Sequence, residues 1–173
     1  MVDKFKGKDP QKLLEGISDI YNGNERVLQL HRAWDIWDQV YGDGRLDYEV
    51  YALCDGHDGG KFVYGPVQLN YRPYYIGSGK EGRAINSRGN GRQRDKVGEK
   101  YYWLDQMDLQ NRDVRIEILG RYQTKPKASI VEIQLLTLFK QLGVYLTNSN
   151  HTWTQLPLRE SDIINPPPLV LFC

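Results

Sequence analysis

Arg72-Pro73-Tyr74-Tyr75-Ile76-Gly77-Ser78-Gly79-Lys80-Glu81-Gly82-Arg83 is the stretch on which the reading of this chain turns. Arg72-Pro73-Tyr74-Tyr75-Ile76 is rich in β-formers and predicts a strand. Gly77, Gly79 and Gly82 follow, and glycine lets backbone amides come close to a ligand. Lys80 and Arg83 lie just beyond, and cations beside exposed amides suit a phosphate. The Walker signature is missing, because no Gly-x-x-x-x-Gly-Lys-Ser/Thr occurs. An ordinary glycine-rich turn with surface charges has the same composition, so the stretch alone leaves both readings open.

Working outward, Tyr48-Glu49-Val50-Tyr51-Ala52-Leu53-Cys54 predicts a strand and Asp55-Gly56-His57-Asp58-Gly59-Gly60 a turn. Lys61-Phe62-Val63-Tyr64 predicts a second extended piece before the one ending at Ile76. Residues 77–98 are glycine-rich and basic with weak periodicity. A short helix is expected over 101–107 and an alternating strand over 114–119. Pro126 is placed to open a helix running to Leu142, with Gly143 closing it. Towards the N-terminus, Leu13, Leu14, Ile17, Ile20 and Tyr21 recur at helical spacing. Asn22-Gly23-Asn24 breaks that helix, and a second is expected to end before Gly42-Asp43-Gly44. His31, among the apolar residues of the second helix, reads as a packing residue. Pro166-Pro167-Pro168 predicts an extended tail lying over the domain.

The 173 residues suit one domain with short extensions, and 40% hydrophobic with 26% charged residues is ordinary for a globular protein. No apolar run is long enough to span a membrane. Met1-Val2-Asp3-Lys4-Phe5-Lys6 leads into no apolar core of a signal peptide, and two cysteines build no disulfide framework. A cytoplasmic, reducing setting is therefore expected. A net charge of +1 excludes a globally basic DNA-coating protein. Acidic residues nevertheless dominate 33–58 and basic residues 80–127, which allows one basic face for a polyanion.

Tyr75-Ile76-Gly77, preceded by Tyr51 on a strand and followed by Arg83, then Glu132 in an apolar helix and Asn148 beyond it, resembles the GIY-YIG nuclease superfamily. The ordered features cover about residues 48–150. The resemblance implies an α+β domain over 46–155 with a three-stranded antiparallel sheet flanked by helices. Residues 1–45 become a helical extension and 156–173 a proline-rich tail. It also implies divalent-metal-dependent endonuclease cleavage of phosphodiester bonds in DNA, with RNA not excluded, and a possible homodimer for double-strand cutting. The first motif tyrosine is open between Tyr51 and Tyr64. Family members hold their two tyrosines about as far apart as Tyr64 and Tyr75, whereas Tyr51 needs an inserted excursion but lies on the better strand and is preferred.

By the same resemblance, Glu132 would hold a single Mg²⁺ or Mn²⁺, Arg83 would pair with the scissile phosphate, and Tyr75 would position the water or the phosphate. Asn148 and Gly77 would brace the site. A tyrosine is a poor base at neutral pH unless nearby cations favour its phenolate, and Arg83, Lys80 and the metal are the expected sources of that field. Glu132 has a rival role, because Ser129-Ile130-Val131-Glu132 fits a capping box. Pro126 puts the first turn earlier, which argues for the metal role. One departure from the family pattern stands out. Where many members carry a histidine or tyrosine four residues after the arginine, this chain has Ser87. Either Tyr51 then acts alone or Tyr101 or Tyr102 substitutes. Arg88, Arg92, Arg94 and Lys96 are the expected contacts to the nucleic-acid backbone, or else a solvated loop. Two other readings remain. One is a non-cleaving nucleic-acid or protein-binding module on a nuclease-like domain. The other is an interaction protein working through Trp34, Trp37 and the acidic region.

Overall fold

The computed structural model describes residues 34–35, 38–89, 98–148 and 158–163. Three strands form one antiparallel sheet in the order β2-β1-β3, with β1 Tyr48–Tyr64, β2 Val67–Lys80 and β3 Val114–Tyr122. Helices α1 (Arg83–Gly89), α2 (Glu99–Leu109) and α3 (Lys125–Gln141) flank it. The protein is thus an α+β domain with a small three-stranded antiparallel sheet. Among the described residues no helix is long and apolar enough to cross a membrane.

The sheet corrects one expectation. Asp55-Gly56-His57-Asp58-Gly59-Gly60 is not a turn: β1 runs through it, and the chain reverses later, where Tyr64 pairs with Val67 around Gly65 at φ 56°. Glycine and aspartate suit a bulge as well as a turn, and the ladder slips between Asp55 and Gly59 and again before Phe62. Slippage strands backbone amides, and Glu117 of β3 collects them. Its carboxylate accepts from the amides of Asn70 (2.9 Å) and Tyr71 (3.2 Å) and from Asn70 Nδ2 (2.8 Å).

Alternation along β1 separates two cores. Val50, Ala52 and Cys54 face α3 and pack with Ile76, Leu119, Val131, Leu135 and Phe139. Tyr51 and Leu53 point the other way, against Ala84 of α1 and Ile116 and Ile118 of β3. Helix α3 begins after an extended Thr124 with Pro126 in its first turn, and Gly143 beyond its end is at φ 71°. Ser129 lies inside this helix, so Ser129-Ile130-Val131-Glu132 is not a helix start and the capping-box role for Glu132 fails.

The charge segregation along the chain is partly offset in space. Asp35 meets Lys127 at 3.1 Å, Asp55 meets Arg112 at 2.6 Å, and Glu49 meets Arg121 at 3.8 Å. Asp162 joins Lys127 at 2.8 Å, and Arg159 bonds both Asp35 and Asp162. The expected single basic face is therefore partly neutralised by the acidic stretch. Trp34, expected on a working surface, is 4% exposed and belongs to the packed interior. The predicted first helix, His31, Trp37 and the Pro166-Pro167-Pro168 tail lie outside the described residues.

Candidate active site

The two tyrosine positions come together because of a glycine. Tyr51 on the central strand is paired with Gly77 on β2, and Tyr75 stands two residues earlier on the same face. A Cβ at Gly77 would lie 2.7 Å from Tyr51 Oη and 2.8 Å from both Tyr51 Cζ and Tyr75 Cε1. Only a residue without a side chain lets the Tyr51 ring lie against the β2 backbone. The two rings sit 6.5 Å apart, tilted by 42°.

Gly79 repeats the device for the arginine. A Cβ there would meet Arg83 Cγ at 2.5 Å, so the guanidinium stem lies directly on β2. Arg83 opens α1 after Gly82, at φ 87°. The helix start is fixed from β1, where the buried Glu49 carboxylate accepts from the amides of Gly82 and Ala84.

The free edge of β2 is clamped by the segment after α3. Asn148 Oδ1 accepts from the Ile76 amide at 3.0 Å, and its Nδ2 donates to the Ile76 carbonyl at 2.7 Å. The Thr147 amide and hydroxyl both donate to the Tyr74 carbonyl. An edge strand left open would present these groups to another chain. Here they fix Tyr75-Ile76-Gly77 in place, so Asn148 is a brace by geometry.

A cleft of ≈ 950 Å³ straddles β2, and Tyr51, Tyr75, Arg83, Glu132 and Asn148 all line it. Tyr51 and Arg83 reach it from one face of the sheet and Glu132 from α3 on the other. Glu132 is half-buried, and its carboxylate accepts from the Ser78 hydroxyl and the Ser78 amide. Among the described residues no cation pairs with it. Burial holds its carboxyl above the ordinary carboxylate value, against those two hydrogen bonds. A carboxylate so placed, in a cleft with an arginine and open to solvent, fits the ligand set of a hard divalent cation, which takes one or two protein carboxylates and completes its shell with water and phosphate. Glu99 also lines the cleft and accepts from the Tyr145 hydroxyl, and no group of three His, Cys, Asp or Glu side chains converges among the described residues.

Tyr64 is not part of this constellation. It packs on Phe139 with ring centroids 4.6 Å apart, on the side of the sheet that α3 covers. Between the two candidate first tyrosines, the cleft contains Tyr51. Lys80, exposed and paired with Tyr48 at the far end of β2, does not line the cleft either. Arg88 is half-buried and donates to the Val114 carbonyl, so its guanidinium is partly engaged within the fold. Arg92, Arg94 and Lys96 lie outside the described residues.

Arg83 lowers the first tyrosine, as expected of a neighbouring cation, but does not prevail. Burial raises the Tyr51 phenol above its ordinary value, and the Glu132 charge adds to this, outweighing the Ser87 hydrogen bond and Arg83. Tyr75 is pushed up further, by burial and then by Tyr51 and Glu132. Sequence reasoning also missed Lys100. It comes from the first turn of α2, and its ammonium lies 2.5 Å from Ser87 Oγ and 4.3 Å from the centre of the Tyr75 ring. Of the two tyrosines considered as substitutes at Ser87, Tyr101 lines the cleft and Tyr102 is 68% exposed.

No protein-family model, curated protein or solved structure matches this chain.

Proposed function

We propose that the protein is a divalent-metal-dependent endonuclease that hydrolyses phosphodiester bonds in DNA. The observation that carries this reading is the shared cleft: a phenol, a guanidinium and a carboxylate with no cationic partner among the described residues, drawn from β1, α1 and α3, line it together along Gly77-Ser78-Gly79. The GIY-YIG resemblance of the sequence supports the same assignment.

In this reading Arg83 binds the scissile phosphate through its planar fork and offsets the charge that builds on the phosphoryl oxygens. Tyr51 holds the attacking water, whose oxygen bonds to phosphorus as the bond to the departing sugar oxygen breaks. The proton released by the water passes to the Tyr51 oxygen in its phenolate form, and the departing sugar oxygen takes a proton from solvent. Tyr75, with its raised pKa, remains a neutral donor towards the phosphate. Glu132 would hold Mg²⁺ or Mn²⁺, which when bound would supply a Lewis acid for the leaving oxygen and would offset the carboxylate charge that opposes ionisation of Tyr51. A single site acts on one strand, so double-strand cutting calls for a homodimer or two visits. The cytoplasm suits the buried, unpaired thiol of Cys54.

The test is nicking of supercoiled plasmid with Mg²⁺ or Mn²⁺ by the wild type, Glu132→Ala and Tyr51→Phe. Cutting by the wild type that falls at least about 100-fold in both variants is expected, the scale of losing a general base or a charge stabiliser. Binding of DNA without cutting, unchanged by Glu132→Ala, overturns the nuclease reading in favour of a binding module.

A further inference from the structure

We propose that Lys100, acting through Ser87, is the positioning residue that orients and polarises Tyr51 for phosphodiester cleavage. The proposal rests on the nuclease reading above and names a part of the site that the sequence pattern does not supply.

Donor and acceptor counting fixes the direction of the first contact. An ammonium has three donors and no acceptor, so the contact of 2.5 Å between Lys100 Nζ and Ser87 Oγ has one direction: lysine donates and serine accepts. A serine hydroxyl has one proton of its own. With its oxygen engaged by Lys100, that proton turns away from the lysine and towards Tyr51, which lines the same cleft and whose ionised form a Ser87 hydrogen bond favours. The chain Lys100, Ser87, Tyr51 therefore runs one way, and each bond strengthens the next. Its end result is a Tyr51 oxygen that receives a hydrogen bond on one side and keeps its remaining lone pair for the cleft.

Burial makes this coupling matter. Ser87 is 3% exposed and Tyr51 1% exposed, so little water competes for the bonds between these groups. Charge-assisted hydrogen bonds are about twice as strong as neutral ones. The lysine is itself fixed, because its ammonium also lies over the Tyr75 ring at 4.3 Å and the Tyr101 ring at 5.3 Å. A flexible side chain is thereby held by two aromatic faces and one hydroxyl. Serine alone at this position has no charge with which to favour the phenolate. The combination of a short hydroxyl and a lysine from another helix supplies one.

A role as a simple phosphate clamp would make different demands. A clamp lysine points its donors at solvent, whereas here one donor is spent on a buried hydroxyl.

Plasmid nicking by Lys100→Met, Lys100→Arg, Ser87→Ala and the Lys100→Met/Ser87→Ala double variant tests the proposal, with thermal stability measured for each. The expected result is a fall in kcat of about 10- to 100-fold in Lys100→Met and Ser87→Ala with KM within about 2-fold of wild type. The double variant should be no worse than the poorer single one, because both cut the same chain. Lys100→Arg should recover part of kcat. The ¹³C signal of the Tyr51 ring, observed without substrate, should move in both single variants. A raised KM with kcat intact, multiplicative losses in the double variant, or an unmoved Tyr51 signal in Lys100→Met overturns the proposal while cutting by the wild type leaves the nuclease reading standing. A wild type that does not cut overturns both.

Discussion

Replacing Gly77 by alanine tests the central geometric claim, that the site exists because one backbone position on β2 has no side chain. The added methyl carbon would stand 2.7 Å from Tyr51 Oη, 2.8 Å from Tyr51 Cζ and 2.8 Å from Tyr75 Cε1. Real carbon contacts need more than 3 Å, and Tyr51 is 1% exposed, so its ring has no room to swing aside. Either β2 shifts away from β1 or the ring is driven off its rotamer. Overpacking of this kind costs about 1–3 kcal/mol. At about 2–4 °C per kcal/mol for a domain of this size, a cost near 2 kcal/mol lowers Tm by about 4–8 °C. Gly120→Ala is the matched control. Its Cβ would meet Tyr122 Oη at 2.3 Å and Tyr122 Cζ at 2.8 Å, and Tyr122 belongs to the core on the α3 side. Both variants should lose comparable stability in thermal or urea unfolding. Only Gly77→Ala should shift the Tyr51 and Tyr75 ring signals strongly, and with them plasmid nicking measured well below either Tm. Gly59→Ala should be near neutral, since its Cβ finds nothing closer than 3.5 Å. A Gly77→Ala protein with the Tm of the wild type and unmoved tyrosine signals refutes the close-approach argument.

Two further predictions concern stability alone. Gln134 is 1% exposed on α3, and neither its amide oxygen nor its amide nitrogen has a hydrogen-bond partner among the described residues. Gln134→Met keeps the volume and removes the stranded polar atoms, so it should raise stability by about 1 kcal/mol, read as a higher urea midpoint at constant m. For Asp162, burial pushes the carboxyl up, but hydrogen bonds from Arg159 and Lys127 with their charges outweigh it and hold the group below its ordinary value of 3.8. Asp35 is lowered by the same two cations against its own burial. The unfolded chain therefore binds more protons than the folded one in this range. The stabilisation is complete above about pH 4–5 and drains away as pH falls through the folded values. Asp162→Asn should unfold more easily at pH 7 and show a flatter decline in Tm between pH 5 and pH 3; an unchanged acid slope would count against the cluster.

The local elements were legible because each carried a local cause. Val114 to Ile118 alternates apolar with polar residues, which marks a strand, although Ile116 to Gly120 are all buried. Pro126 and Gly143 bracket α3, where a missing amide proton is harmless at the start and a positive φ is wanted at the end. Tyr75-Ile76-Gly77, Arg83, Glu132 and Asn148 could be picked out in order along the chain, and Tyr75, Arg83, Glu132 and Asn148 line one cleft. The Asp55 to Gly60 stretch was misread as a turn for a physical reason, since glycine serves a bulge as readily as a turn. Only the pairing of Asp55 with Arg72 and of Gly59 with Tyr71 decides between them.

Residue order alone determines that this chain has strands, a glycine-spaced tyrosine and arginine, and an apolar helix carrying one glutamate, because propensity, capping and period act over a few neighbouring residues. Choosing Tyr51 over Tyr64 needed the sheet register, which places one phenol against Gly77 and the other against Phe139. Nothing local could show that the acidic stretch folds onto the basic one, or that Lys100 reaches Ser87 from another helix. Coulomb forces and hydrogen bonds depend on distance in space, and partners remote in the chain become neighbours only once the core has closed.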